Sequence, residues 1–168
     1  NWLTDMVLPE DYKPFNIVEV RFKGSKKQFY RNTNNLELFT GEKVIVDSDI
    51  GYDVGEISLA GELVKLHLKK YGVEEDNSEM RNIRSIASED QVKKYQDYKD
   101  KEQKTLEEAR TIALQLRLKM KISDIEFQGD GKKVTFYYTS EGRVDFRELI
   151  RRYASSFKSR IQMLQVSY

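Results

Sequence analysis

Apolar and charged residues alternate along several short stretches of the first seventy residues. Val18, Val20 and Phe22 alternate with charged neighbours, and a turn at Gly24 leads into a returning stretch at 28–31. Further stretches typical of short strands follow at 43–46, 52–59 and 63–68. Short strands joined by glycine-containing turns favour small closed barrels. The pattern therefore predicts a small SH3-like β-barrel over residues 15–70.

In the second half of the chain the apolar residues show helical spacing, then strand patterns, and then helical spacing again before a final strand. Ser88 and Gln91 form a capping box, and no proline or glycine follows before Gly129, so a long helix is predicted over residues 88–120. Because residues 99–105 lack apolar side chains, we expect the first half of this helix to project from the body. Strand patterns at 123–127 and 134–139 flank a glycine turn, and a helix at 145–157 precedes a final strand at 161–166.

These elements give the order α-β-β-α-β, with two helices on one face of a three-stranded sheet. The predicted fold class is α+β, in which a small SH3-like β-barrel is followed by an α-β-β-α-β domain with a long projecting helix. The predicted domains are an extended N-terminal arm at 1–14, which holds both prolines, the barrel at 15–70, a linker at 71–87 and the α-β-β-α-β domain at 88–168.

Composition narrows the chemistry available to the 168 residues. The absence of cysteine excludes disulfides and thiolate metal sites and fits a reducing, cytoplasmic compartment. His67, the single histidine, is expected on the polar face of the strand predicted at 63–68, and alone it forms neither a metal cluster nor a catalytic pair. No run is long enough to cross a membrane, and the start lacks signal-peptide character. The first residue is not methionine and the end is abrupt, so we expect a fragment of a longer protein, without a metal or a cofactor of its own.

The basic residues are distributed unevenly, although 29 basic and 28 acidic residues nearly balance. The helix at 145–157 has an apolar stripe for the core, and folding does not require its other face to be rich in arginine. The candidate surface for nucleic acid or a partner protein around it comprises Arg143, Arg147, Arg151, Arg152, Lys158 and Arg160. The alternative is a solvated helix face that Glu148 partly neutralises. Asp145 and Glu148 are expected to form a capping box.

Two further surfaces are candidates. A basic and aromatic strip in the predicted barrel gives a second possible contact with RNA, since aromatic rings stack on unpaired bases; it comprises Arg21, Lys23, Lys26, Lys27, Tyr30 and Arg31. Tyr95 and Tyr98, on the half of the long helix expected to project, form a candidate arm for a partner protein. The alternative for this half is a solvated helix stabilised by its own ion pairs.

The block GRVDFREL at 142–149, preceded by the strand VTFYYT at 134–139, resembles the PSP-one C-terminal domain family. More closely, it resembles the bacterial RicT/YaaT-like branch, with which VEVRF at 18–22, GEIS at 55–58 and IRSIA at 83–87 also agree. The resemblance covers about residues 15–168. It implies a cytoplasmic, non-enzymatic bacterial protein that joins small helical partner proteins in a hetero-complex.

The branch is associated with mRNA processing and decay through the endoribonuclease RNase Y, and in some bacteria with developmental regulation. Relatives elsewhere include RNA-binding proteins. RicT-like proteins typically continue into a cysteine-rich segment associated with iron–sulfur clusters. The resemblance therefore assigns any such cluster to the full-length protein and gives no ligand within these residues.

Three functional hypotheses follow from the sequence. The first is a non-catalytic accessory subunit of a bacterial regulatory complex in mRNA processing, contacting RNA or partner proteins through the basic helix face. The second is a scaffold that binds proteins only, in which the arginines meet acidic partner surfaces. An enzyme is the weakest hypothesis, because Asp145 and Glu148 have the spacing of a helix cap and no histidine, cysteine or glycine-rich phosphate loop accompanies them. The order α-β-β-α-β is reminiscent of KH-like folds, but no GxxG loop is present.

Overall fold

A computed structural model describes residues 15–167, so the arm predicted at 1–14 lies outside the described residues. Within them the chain forms two sheets and three helices. The strands are β1 Ile17–Arg21, β2 Lys27–Arg31, β3 Lys43–Asp47, β4 Tyr52–Leu59, β5 Ile83–Ile86, β6 Lys121–Phe127, β7 Lys133–Thr139 and β8 Arg160–Gln165. The helices are α1 Val64–Tyr71, α2 Glu89–Gln115 and α3 Arg147–Phe157. The α+β class predicted from the sequence is confirmed.

The first sheet has five antiparallel strands in the order β2-β1-β4-β3-β5. Alternate residues such as Val20, Val44 and Ile57 are buried on one face and form its core. The outer strands meet through a single bridge between Arg31 and Asn82, and no continuous ladder joins them among residues 15–167. The sheet is therefore not a closed barrel, and the SH3-like description is not confirmed.

The strand predicted at 63–68 is wrong, because residues 64–68 belong to helix α1 and Leu63 is its N-cap residue. Val64 and Leu68, one helical turn apart, are buried against Ile17, whereas Leu66 is largely exposed. Gly72 ends the helix in the left-handed conformation, and its N–H donates to the carbonyls of Leu68 and Lys69. The strand pattern in this segment was misleading, since an i, i+4 pair suffices to anchor a helix of two turns.

The segment predicted as a linker, 71–87, contains a strand of the first sheet. Residues of β5 pair with β3, with Val44 opposite Ile86 and Ile45 opposite Ser85. Ile83 is fully buried in the core of the first sheet. The apolar pair Ile83 and Ile86 thus has a structural role, and the first sheet is completed by residues that follow helix α1.

The elements β1–β5 and α1 form a first unit, and the elements from α2 onward form a second unit. The second unit has the predicted order α-β-β-α-β, formed by α2, β6, β7, α3 and β8. Its sheet order is β6-β7-β8, with β6 antiparallel and β8 parallel to β7. The rings of Phe136 and Tyr153 stack with centroids 4.5 Å apart, and the Tyr153 hydroxyl donates to the Ala109 carbonyl over 2.7 Å. The capping box of Ser88 and Gln91 is present as predicted.

The long helix ends earlier than predicted and does not project freely. Helix α2 stops at Gln115 instead of residue 120. In its first half Tyr98 packs on Phe127, with ring centroids 5.4 Å apart, and Lys23 of the first unit reaches Glu102 over 2.9 Å. Residues 99–105 contain no apolar side chain, so the sequence predicted a helix that projects from the body. Among them, Glu102 contacts the body through its partner Lys23, which is 79 residues away in the sequence.

Candidate binding surfaces

Helix α3 separates an apolar face from a strongly basic one. Leu149 and Tyr153 are fully buried, and Phe146 and Phe157 pack against the same core. On the opposite side the Arg147 and Arg151 side chains are 89% and 75% exposed. Lys158, in the left-handed conformation after the last turn, lies at the end of the same helix. We call Arg147, Arg151 and Lys158 the α3 basic face.

The arginines of this face have only exposed acidic partners. Arg147 contacts Asp145 over 2.7 Å, and Arg151 contacts Glu148 over 3.1 Å. Hydrogen bonds from the Arg147 side chain and backbone lower the pKa of Asp145 to about 2. Exposed pairs of this kind are weak and easily exchanged, so both guanidinium groups remain available to another anion.

The expected capping box of α3 is wrong in detail. The helix begins at Arg147 and its N-cap residue is Phe146, which offers no side-chain acceptor. The Asp145 carboxylate accepts the Arg147 N–H over 3.1 Å, and Glu148 pairs with Arg151. Both carboxylates therefore lie at the start of the helix and pair with its arginines. They do not form the reciprocal capping box that was predicted.

The other predicted members of the surface point toward different neighbours. Arg152 donates to the Gln115 side chain of α2 over 2.8 Å. Arg160 lies 3.6 Å from Asp49, in the turn between β3 and β4. Arg143 lies in the loop after β7 and is exposed. The structure therefore gathers three of the six cations on one face.

Arg143 has basic neighbours that sequence reasoning missed. It lines an open groove of 610 Å³ together with Lys119 and Lys121, which precede or begin β6, and the lining contains a single acidic residue. The lysines are about twenty residues from Arg143 in the sequence, and only the hairpin pairing of β6 with β7 brings them together. The available signal was the alternation of these lysines with Leu118 and Met120, which pack on the core.

The cations of the predicted basic strip of the first sheet all have acidic or carbonyl partners, and the role of the strip as an RNA contact stays a prediction. We call Arg21, Lys23, Lys26, Lys27, Tyr30 and Arg31 the first-sheet basic set. Arg21 contacts Glu56, and Lys23 contacts Glu102 and Asp124. Lys26 contacts Glu126, and Lys27 contacts Glu19. Arg31 donates to the carbonyls of Glu75 and Asn77. Tyr30 is buried in the core, where burial raises the pKa of its hydroxyl, so its ring cannot stack on a base.

Lys23 is the clearest case of a structural cation. Its ammonium group donates to Glu102, Asp124 and the Ile125 carbonyl over 2.9, 3.0 and 2.6 Å. Burial alone would lower the pKa of Lys23, but the two carboxylates outweigh burial and raise it. This side chain connects the first sheet to α2 and β6.

The tyrosines predicted as a partner arm face the protein. Tyr98 lies against Gly131, where a Cβ atom would be 2.1 Å from the Tyr98 hydroxyl oxygen. Tyr95 lines a cleft with Phe22, Lys43 and Gly55 of the first unit. Their role as a partner surface stays a prediction.

A polar junction joins the two units at the turn between β6 and β7. Asp130 accepts the Tyr52 N–H over 2.9 Å, and Gln128 donates to the Ile50 carbonyl over 2.6 Å. Gly129 lacks room for a Cβ atom, which would lie 2.8 Å from the Val54 nitrogen. The turn therefore fits tightly against the strand pair β3–β4.

Asp53 lies beside a polar cavity of 130 Å³ between the two sheets. One carboxylate oxygen accepts the N–H groups of Val54 and Gly129, each over 2.8 Å. Burial nevertheless raises the pKa of Asp53 to about 6. The junction thus contains a carboxyl group that titrates within the physiological range.

His67 on α1 contacts the buried carboxylate of Glu19 on β1. Its Nδ1 atom lies 2.5 Å from Glu19, which also accepts a hydrogen bond from Ser58 over 2.7 Å. Burial alone would raise the pKa of Glu19, but its hydrogen bonds to His67 and Ser58 lower it.

No group of three or more metal-ligating side chains occurs within residues 15–167. In the same part of the chain no helix is long and apolar enough to cross a membrane.

Comparison with known proteins identifies the family. The profile of the PSP1 C-terminal conserved region matches residues 81–166. The chain belongs to the PSP1 family. This match covers β5, the complete second unit and the α3 basic face.

The chain is similar to three curated proteins of this kind. It is 30% identical to the stage 0 sporulation protein YaaT of Bacillus subtilis, over 90% of the chain and 53% of that protein. It is 32% identical to the uncharacterized protein PB7E8.02 of Schizosaccharomyces pombe, over 92% of the chain and 24% of that protein. Over 30% of the chain it is 46% identical to 6% of protein PSP1 of Saccharomyces cerevisiae.

The chain therefore spans about half of the YaaT sequence and smaller shares of the yeast proteins. None of these names denotes an enzyme. No solved structure matches the chain.

Proposed function

We propose that this PSP1-family protein is a non-catalytic accessory subunit of a bacterial regulatory complex in mRNA processing and decay, linked to RNase Y. In this role the α3 basic face contacts RNA, and small helical proteins are the other partners in the cytoplasm. The similarity to a sporulation protein supports a regulatory role. The observation that carries the proposal is the exposure of Arg147 and Arg151 on the same face of α3.

Geometry favours phosphate as the ligand of this face. Arg147 and Arg151 are one helical turn apart, so their guanidinium groups can meet neighbouring phosphates of a single strand. Their present partners are exposed carboxylates, which a polyanion replaces without leaving a buried charge unpaired. The groove at Lys119, Lys121 and Arg143 offers a second basic contact in the same unit.

The direct test is binding of single-stranded RNA to the full-length protein at two salt concentrations. Counterion release makes phosphate binding fall steeply with salt. We expect the double variant Arg147→Glu/Arg151→Glu to lose at least about tenfold in affinity and to show a weaker salt dependence. The matched control is Lys93→Glu/Lys104→Glu, which makes the same charge change on exposed positions of α2.

Two outcomes contradict RNA contact by this face. One is the absence of RNA binding at low salt. The other is an equal loss of affinity in the α3 and α2 double variants, since that result reflects net charge alone.

The second candidate function is a scaffold that binds only proteins. It is favoured by the acidic partners that Arg147 and Arg151 already hold, since carboxylates fit beside these guanidinium groups. A pull-down with the full-length protein separates the two. Loss of protein partners from Arg147→Glu/Arg151→Glu supports the scaffold, whereas loss of RNA alone supports the RNA-binding subunit.

A further inference from the structure

The two outer strands of the second sheet have very different edges. Side chains close the outer edge of β6: Arg110 donates to the Ile122 carbonyl over 2.9 Å, and Lys23 donates to the Ile125 carbonyl over 2.6 Å. The Glu102 carboxylate accepts the Phe127 N–H over 3.0 Å. A bulge between Ile122 and Asp124 further interrupts this edge. Strand β6 is thus protected against pairing with another strand.

Strand β8 has none of this protection in the part of the chain that is described. It pairs with β7 on one side, and no strand of residues 15–167 pairs with its other side. No side chain of residues 15–167 forms a hydrogen bond to the backbone of residues 161–165. The sequence IQMLQ at these positions contains no charge, proline or glycine. The outer edge of β8 is therefore a regular row of donors and acceptors open to a further strand.

The apolar stripe of α3 is wider than the sheet below it. Arg152 contacts Gln115 and so marks the flank of α3 that faces α2. At about 100° per residue, Ile150 and Ala154 lie on the opposite flank, above β8 and beyond it. Ala154 is exposed and Ile150 is 38% exposed, although both continue the stripe that Leu149 and Tyr153 begin. One more strand beside β8 would lie beneath these two side chains.

We propose that β8 receives an extended segment of a partner protein as the fourth strand of this sheet. Backbone hydrogen bonds to β8 provide the main contact, and apolar side chains of the segment pack under Ile150 and Ala154. At about 100° per residue, Arg147 and Arg151 of the α3 basic face lie next to this flank, so the segment carries carboxylates at its outer positions. This inference goes beyond the proposed function, because the contact is made by the sheet edge and does not require RNA.

Charge distinguishes this partner from a second copy of the chain. Antiparallel pairing of β8 with its own copy would bring two α3 helices onto the same face of one sheet. Their basic faces, with Arg147 and Arg151 both highly exposed, would then stand beside each other. Like charges disfavour that arrangement, whereas an acidic strand is attracted to the same position.

The test uses the full-length protein and a short peptide of alternating valine and glutamate. Hydrogen exchange of the β8 amides reports the contact, and a titration gives the affinity. We expect the peptide to slow exchange in residues 161–165 and to bind at least about tenfold more tightly than an alternating valine–lysine peptide. A peptide with proline at its centre should not protect β8, because it cannot continue the ladder.

Variants locate the contact on the flank of α3. Ile150→Ser should weaken peptide binding about tenfold, while Leu66→Ser, at an exposed leucine of α1, should leave it unchanged. Equal binding of both charged peptides, or no protection of β8 at millimolar peptide, overturns the proposal. So does protection of β8 before peptide is added, since a second copy or another segment of the full-length chain would then hold the edge; sedimentation separates these two cases. The outcome does not depend on whether RNA binds.

Discussion

The first-sheet basic set and the α3 basic face contain the same kinds of cation but use them differently. Lys23 of the first set is surrounded by three acceptors from α2 and β6, and its side chain is 27% exposed. Arg147 has one exposed acidic partner from its own helix start and is 89% exposed. A basic residue is therefore available for binding only where the fold leaves its charge without buried partners.

The largest expected effect comes from removing Lys23. Lys23→Met leaves the nearly buried Glu102 without its cation, and breaking a largely buried ion pair in this way should lower the free energy of unfolding by about 3 kcal/mol. Urea denaturation measures this loss. The control is Lys104→Met, at an exposed position of α2 two residues after Glu102, and it should be nearly neutral. A loss of unfolding free energy below about 1 kcal/mol would show that Lys23 behaves like an exposed surface cation such as Arg147.

Asp53 tests whether the junction beside the first-sheet basic set depends on pH. Its pKa is raised from 3.8 to about 6, so the folded state favours the protonated form. The stability contributed by this group is present below about pH 4 and is lost as the pH rises through about 6. Asp53→Asn keeps a neutral acceptor for the Val54 and Gly129 N–H groups.

The variant should therefore become more stable relative to the wild type by about 2 kcal/mol between about pH 4 and pH 7. Denaturation at several pH values measures this difference, and the comparison cancels the other carboxylates. A difference that is constant with pH would show that the pKa of Asp53 is the same in the folded and unfolded states.

Lys27 should have a smaller effect than Lys23. Its ammonium group lies 3.6 Å from Glu19, a buried carboxylate that His67 and Ser58 also contact. Because Glu19 keeps these two partners, Lys27→Met should cost about 1 kcal/mol. Denaturation of the double variant Lys27→Met/His67→Phe provides the contrast. Its loss should exceed the sum of the single losses, because Glu19 is then left with Ser58 alone.

The smallest expected effect on stability belongs to the α3 basic face. Arg151→Ala removes one exposed i, i+3 pair with Glu148, so the free energy of unfolding should change by less than about 0.5 kcal/mol. The same denaturation assay measures it. A loss as large as that of Lys23→Met would mean that the face is structural and would remove the contrast between the two sets.

The sequence predicted those features that depend on local patterns. Alternation identified the strand around Val20, and the spacing of Ser88 and Gln91 identified the start of α2. The order of the second unit followed from periodicity and the glycine turn at 129–131. The α3 face was recognised because its apolar stripe and its arginines lie on opposite sides of one helix.

The features that failed depend on distant partners. Lys23 appeared available because Glu102 and Asp124 are 79 and 101 residues away in the sequence. The same separation made the first half of α2 appear to project. At 63–68 the strand pattern of the sequence was wrong, and Gly72, whose position favours the end of a helix, is the local signal for helix α1.

The position of strand β5 bears on which segment of the chain can be transferred to another protein as a folded domain. The family region at 81–166 begins immediately before Ile83–Ile86, yet this strand completes the sheet built by residues before it. A gene segment limited to that region would encode an orphan strand with the buried side chain of Ile83 exposed. Recombination that moves the region into a new protein must therefore supply a host sheet for β5, which favours transfer together with the preceding sheet.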